Sequence, residues 1–96
     1  MSLFIVIAKH SPEACPAGDA EMGKMLLSHL ENENASKFGV NIQASVGAES
    51  QHTLHLVLEA PDRQKVDEYM TPFAQMGGVE VIPGISCAAI VERGRC

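Results

Sequence analysis

Leu3-Phe4-Ile5-Val6-Ile7-Ala8-Lys9-His10, followed at once by Ser11-Pro12-Glu13-Ala14-Cys15-Pro16, is the stretch on which the fold turns. A strand covered on one face alternates apolar and polar residues. This run is apolar at nearly every position, so it reads as a strand buried on both faces. A chain of 96 residues can lay a single layer of helices on a sheet and cover one face only. The second face then needs a partner. The run ends at His10, the first group able to do acid–base or ligand chemistry at the edge of that buried region.

Outward from the first strand, the chain is punctuated. Ser11–Gly18 carries two prolines and reads as a loop. Asp19 is a good N-cap, and Met22, Met25, Leu26, His29 and Leu30 follow helical spacing. The predicted helix extends to about Lys37, before a Gly39 stop. Val40, Ile42, Ala44 and Val46 alternate with Asn41, Gln43 and Ser45 as a half-buried strand. Residues 47–51 make a hairpin loop. Leu54, Leu56 and Leu58 alternate with Thr53, His55, Val57 and Glu59 as the next strand. Pro61-Asp62 opens a second helix with a stripe at Val66, Tyr69, Met70 and Phe73. Pro72 predicts a kink or restart there, with Thr71 as cap. Val79–Ile82 is a short strand ended by Pro83-Gly84. Residues 86–93 read equally as a short helix, with Ser86 as cap and Gly94 as stop, or as a strand.

The order β-α-β-β-α-β predicts one α+β domain over residues 1–96, with 84–96 as a C-terminal extension. Its fold is a ferredoxin-like sandwich: a four-stranded antiparallel sheet in order 4-1-3-2 with both helices on one face. The uniform sets Leu3/Ile5/Ile7, Leu54/Leu56/Leu58, Val40/Ile42/Ala44/Val46 and Val79/Val81 are expected under the helices. The open face then carries Phe4, Val6, Ala8 and His10, with Asn41, Gln43, Ser45, Thr53, His55, Val57, Glu59, Glu80 and Ile82. It is apolar in the middle and polar toward the rims. A contiguous apolar patch of this kind marks an interface, and two such sheets face to face would enclose an amphipathic pocket. A homodimer is expected.

The strand order, the length and the mixed open face resemble the dimeric α/β-barrel superfamily. Its members include small monooxygenases of antibiotic biosynthesis, haem-degrading enzymes, muconolactone isomerase-like proteins and stress-responsive proteins. The stretches His10–Pro16, Gln51–His55 with Glu59-Ala60, and Gly78–Pro83 are similar to a family of small uncharacterised proteins of that fold. The resemblance implies the fold and the dimer; one such fold serves many reactions. Cofactor-free monooxygenase sites of that group rely on aromatic and amide groups, and this chain has no Trp.

Composition excludes other classes. The net charge is −5 and the seven Lys and Arg are scattered, which argues against nucleic acid. The opening apolar run is too short for a membrane span and lacks a signal peptide's flanks, so a soluble cytoplasmic protein is expected. Cys15, Cys87 and Cys96 match neither a disulfide framework nor a zinc pattern, and no cofactor or resident metal is read from them. Cys87 is expected buried and Cys96 exposed.

The candidate catalytic pair is His10 with Glu59. With strands 1 and 3 taken as parallel neighbours, both end on one face at the mouth of a pocket closed by Ser11–Gly18. The pair suits a general base or ligand set; alternatively His10 caps its loop by bonding Ser11 or backbone. His55 is either a pocket group that orients a ligand or a neutral buried imidazole bonded to Gln43 or water. Gln43, Asn41, Phe4 and Cys15 complete the expected ligand-binding set. His10 with Cys15 could activate a thiolate or bind a metal, but two ligands are too few for structural zinc. His52 is placed at the hairpin end, far from His10, and His29 at the core margin.

Three functions compete on these residues. The first is a dimer binding a small, largely apolar molecule on the helix-free face, with cofactor-free oxygen chemistry or isomerase-like proton transfer if it is an enzyme. The second is a non-catalytic binding or stress-response protein whose open face serves assembly alone. The third is a metal-dependent enzyme using His10, His55 and Glu59.

Overall fold

The computed structural model of the chain describes residues 2–12, 15 and 18–96. Four strands, β1 (Ser2–His10), β2 (Asn41–Ala48), β3 (Thr53–Ala60) and β4 (Gly77–Gly84), form one sheet in order β2-β3-β1-β4. Every neighbouring pair is antiparallel. Four helices accompany it among the described residues: α1 (Ala20–Leu30), α2 (Asn32–Ala35), α3 (Arg63–Ala74) and α4 (Cys87–Arg93). This is an α+β architecture, compatible with a ferredoxin-like sandwich.

The leucines of β3 behave as their alternation predicts. Leu56 and Leu58 are buried, and Leu54 packs against the same core. Strand β1 is inverted relative to expectation. Phe4, Val6 and Ala8 lie in the core, while Leu3, Ile5 and Ile7 take the open face. Cross-strand pairing is the reason. Phe4, Val6 and Ala8 stand directly opposite Leu58, Leu56 and Leu54, and opposed residues of an antiparallel pair share a face. Both parities of β1 are apolar, so its periodicity holds no information on which one turns inward.

Strand β2 changes face midway. Ile42 pairs with Leu58 and Ala44 with Val57, leaving Gln43 as an extra residue in a β-bulge. Ile42 packs on the core as expected, but Ala44 and Val46 are carried to the open face, where Val46 is well exposed. Strand β4 keeps its expected parity: Val81 faces Val6 inward, and Ile82 faces Ile5 on the open side. It runs past Pro83, which is tolerated because β4 is an edge strand.

The helices start where their caps predict. Asp19 Oδ1 accepts from the Glu21 and Met22 amides at 2.9 and 3.3 Å. Asp62 Oδ1 accepts from Lys65 N at 3.0 Å, and Ser86 Oγ from Ala89 N at 3.2 Å. The first helix does not run through to Lys37. It breaks at Glu31 (φ −64°, ψ 138°) and resumes as α2 and a 3₁₀ turn, Ser36–Phe38, ending on Gly39 at φ 76°. The cause is local. The His29 carbonyl, which the next helical turn would use, instead accepts from Tyr69 Oη (2.7 Å) and Asn34 Nδ2 (3.0 Å). Helix α3 passes through Pro72 without a restart, and Thr71 Oγ1 donates to the Asp67 carbonyl at 3.0 Å rather than capping a new helix. Its stripe of Val66, Tyr69, Met70 and Phe73 is buried as expected. The stretch left open between helix and strand is α4. None of its residues is buried, so Cys87 is exposed rather than internal, and Cys96 is exposed as expected.

Candidate functional site

His10 and Glu59 do not meet. The β2–β3 hairpin reverses the chain, so β3 runs against β1, and Glu59 stands opposite Leu3 at the far end of the strand. Seven residues of strand, about 24 Å, separate that position from His10. Their faces differ too. His10 follows the parity of Phe4, Val6 and Ala8, toward the helices, whereas Glu59 follows Val57 on the open side. The catalytic pair and the His10/His55/Glu59 metal set are both removed by this geometry. Phe4 is corrected as well: it is a core residue opposite Leu58, not a ligand contact on the open face.

The same antiparallel register brings His10 to a different partner. The first residues of β3 stand beside the last of β1, and the His10 amide donates to the His52 carbonyl at 3.2 Å. Their rings lie edge to face with centroids 5.4 Å apart. Cys15 joins them: one donor atom from each of His10, Cys15 and His52 lies within 4.8 Å of the others. His52 was expected to be remote. The signal that places it was present, since a hairpin before strand 3 makes strand 3 begin where strand 1 ends. His10 Nε2 is buried and has no hydrogen-bond partner among the described residues. Burial, and next the neighbouring His52, push the His10 imidazole below its ordinary pKa, so it favours the neutral form. An open cleft of about 460 Å³, lined in part by His10, Ser11, Pro12, Gln51, His52 and Gly78, adjoins the two histidines. Residues 13, 14, 16 and 17 lie outside the described residues, and with them most of the expected loop cover and its Pro16 brace.

The helix layer holds a second feature. A groove of about 180 Å³ runs between α1 and α3, lined by Met22, Met25, Leu26, Pro72, Phe73 and Met76 together with His29. His29 is already engaged. Its Nε2 meets the Tyr69 carbonyl at 2.8 Å, its Nδ1 meets Asn34 Nδ2 at 3.3 Å, and its ring stacks on Tyr69 with centroids 4.4 Å apart. Tyr69 is fully buried, and burial raises its phenol to about 12. The residue expected at a core margin is therefore one half of a reciprocal His–Tyr clamp. Spacing alone did not reveal this, because the two lie 40 residues apart.

The open face carries the remaining expected residues. His55 Nε2 pairs with Thr53 Oγ1 at 3.0 Å, not with Gln43. Gln43 Nε2 donates instead to Glu59 Oε1 at 2.5 Å, and Asn41 stands opposite Glu59. These polar groups flank an apolar row in which Ile5 sits between Val57 and Ile82, all three exposed by more than a third.

Among the described residues, no helix is long and apolar enough to cross a membrane. No curated protein and no solved structure matches the chain. One family does, over residues 2–95, a span that contains every strand and helix described above. On that match the chain belongs to the family described as a domain of unknown function, DUF3303.

Proposed function

We propose that the chain is a binding protein for a small apolar molecule, seated in the groove between α1 and α3. The observation that carries this reading is the groove's lining, which is aliphatic, thioether and aromatic. Its one polar group, His29, has both ring nitrogens engaged within the protein. Nothing there asks for a polar ligand. An apolar cavity of about 150 Å³ accepts benzene, so a molecule of roughly six to ten heavy atoms suits this one. Three methionines make the wall adaptable, which favours a shape-tolerant site. The test is a thermal-shift series with benzene- to naphthalene-sized compounds. The melting temperature should rise with ligand concentration in the wild type and stay flat in Met22→Glu. No shift with any compound, or equal shifts in the variant, would refute it.

The open face supports a second element, a homodimer built as in the dimeric α/β-barrel proteins that the sequence resembles. Ile5, Val57 and Ile82 form a neutral centre, and the charges of Lys9, Glu59 and Glu80 sit around it. A two-fold axis through such a centre brings apolar residues onto their own copies. Four strands about 4.8 Å apart and eight residues of about 3.4 Å span some 19 by 27 Å. That is about 500 Å² in projection, and more in accessible area, near the ~800 Å² per partner of a stable interface. Sedimentation equilibrium should give a dimer at micromolar concentration. Ile5→Glu should give a folded monomer, whereas Phe4→Glu should unfold the chain, because it buries an unpaired charge. A monomeric wild type would remove the dimer and leave the groove reading intact.

A further inference from the structure

We propose that His10, His52 and Cys15 form a binding site for a thiophilic transition-metal ion, zinc by preference, held tetrahedrally with its fourth position open to the adjoining cleft. Three features of the geometry support the site. The donor atoms lie within 4.8 Å of one another. Tetrahedral zinc, with bonds of about 2.0–2.1 Å to nitrogen and 2.3 Å to sulfur, requires donor separations of about 3.3–3.6 Å. Closing from within 4.8 Å to that spacing completes the shell. The rings are already spaced for it. Two imidazoles on one tetrahedral ion have centroids about 5.2 Å apart by the same bond lengths, and those of His10 and His52 stand at 5.4 Å.

The third feature is the His10 Nε2 atom, buried without a hydrogen-bond partner among the described residues. A buried polar atom in that condition is costly and calls for a partner, an ion included. The backbone fixes both histidines before any ion arrives. His10 N–H is bonded to the His52 carbonyl at 3.2 Å, and His52 is held at φ 51° in a turn whose amide reaches the Glu49 carbonyl at 3.4 Å. Cys15 comes from the adjoining loop, its amide bonded to the Pro12 carbonyl at 3.4 Å.

The donor set decides the class of ion. Two imidazoles and a thiolate select zinc or another soft ion over magnesium and calcium, which take oxygen ligands. On binding, the Cys15 thiol releases its proton to solvent as the sulfur–metal bond forms, and both imidazoles bind as neutral donors. No electron moves. Three protein ligands with one open position is the arrangement of zinc sites that bind water or an exchangeable ligand, in contrast to closed four-residue structural sites. The cleft of about 460 Å³ gives that position access from solvent. The site is separate from the open sheet face and does not depend on the groove being occupied.

The test is titration of the reduced, chelator-treated full chain with Co(II). The expected result is one ion per chain, with a thiolate-to-cobalt charge-transfer band and the intense visible bands of a tetrahedral field, displaced by Zn(II). Cys15→Ser should abolish the charge-transfer band. His52→Asn removes the imidazole but suits a left-handed turn, and it should weaken binding at least tenfold. His10→Ala should do the same, with circular dichroism confirming that each variant is folded. Cys87→Ser and Cys96→Ser should leave the spectrum unchanged. A weak octahedral-type spectrum without the thiolate band would overturn the site. So would a band that survives Cys15→Ser, or one that disappears with either of the exposed cysteines.

Discussion

Raising the pH tests the His29–Tyr69 clamp through the folding equilibrium. Tyr69 is fully buried and its phenol is raised from 10 to about 12 by burial. Below pH 10 the phenol is protonated in both folded and unfolded chains, and its contribution to stability is complete. Between 10 and 12 the unfolded chain ionises while the folded one does not, so stability falls by about 1.4 kcal/mol per pH unit. The whole loss is about 3 kcal/mol, a large share of the 5–15 kcal/mol typical of a domain. The chain has one Tyr and no Trp, so the tyrosinate absorbance of the folded protein reports this residue directly. Urea denaturation from pH 9 to 12 should lose stability more steeply in the wild type than in Tyr69→Phe. That variant gives up the 2.7 Å bond to the His29 carbonyl, for about 0.5–1.5 kcal/mol at neutral pH. Subtracting the two curves cancels every other titrating group. Parallel curves, or a folded-state tyrosinate midpoint near 10, would refute the burial of the phenol and with it the clamp.

Three further outcomes are expected. Gly77→Ala should shift or open the β1–β4 ladder at its His10 end, because an added Cβ would collide with the Lys9 carbonyl oxygen; loss of hydrogen-exchange protection at that end of β4 is the readout, and unchanged protection contradicts the close approach. Leu56→Ala should cost about 2–5 kcal/mol in denaturant titration, while Val46→Ala should cost under about 1 kcal/mol, since the first is buried and the second lies on the open side of the bulge; equal costs would contradict the face assignment. Asp19→Ala should cost about 1 kcal/mol by freeing the Glu21 and Met22 amides, and a neutral effect would show that α1 does not need its cap.

How much of this was legible in the sequence depended on whether a pattern had two answers or one. Leu54, Leu56 and Leu58 alternate against polar neighbours, so their face follows from hydrophobicity alone. Leu3 to Ala8 are apolar at both parities, so their face is settled only by pairing with β3, a tertiary fact. Gln43 was unreadable for another reason: a bulge adds one residue without any proline or glycine to mark it. The break at Glu31 was hidden because its cause, the Tyr69 hydroxyl, lies far along the chain. The candidate site is different. Topology alone requires the antiparallel β3 to begin beside His10, so the His10–His52 contact followed from the predicted strand order, and taking strands 1 and 3 as parallel concealed it.

The bulge in β2 has a consequence for the length of the chain. Ile42 and Ala44 already stand opposite consecutive residues of β3, Leu58 and Val57. Excising Gln43 would therefore close a regular ladder and leave every other pairing in place, at the loss of one surface hydrogen bond to Glu59. Excising a residue elsewhere in β2 would instead invert everything beyond it. The strand carries a single dispensable unit, and homologues one residue shorter should lack it there.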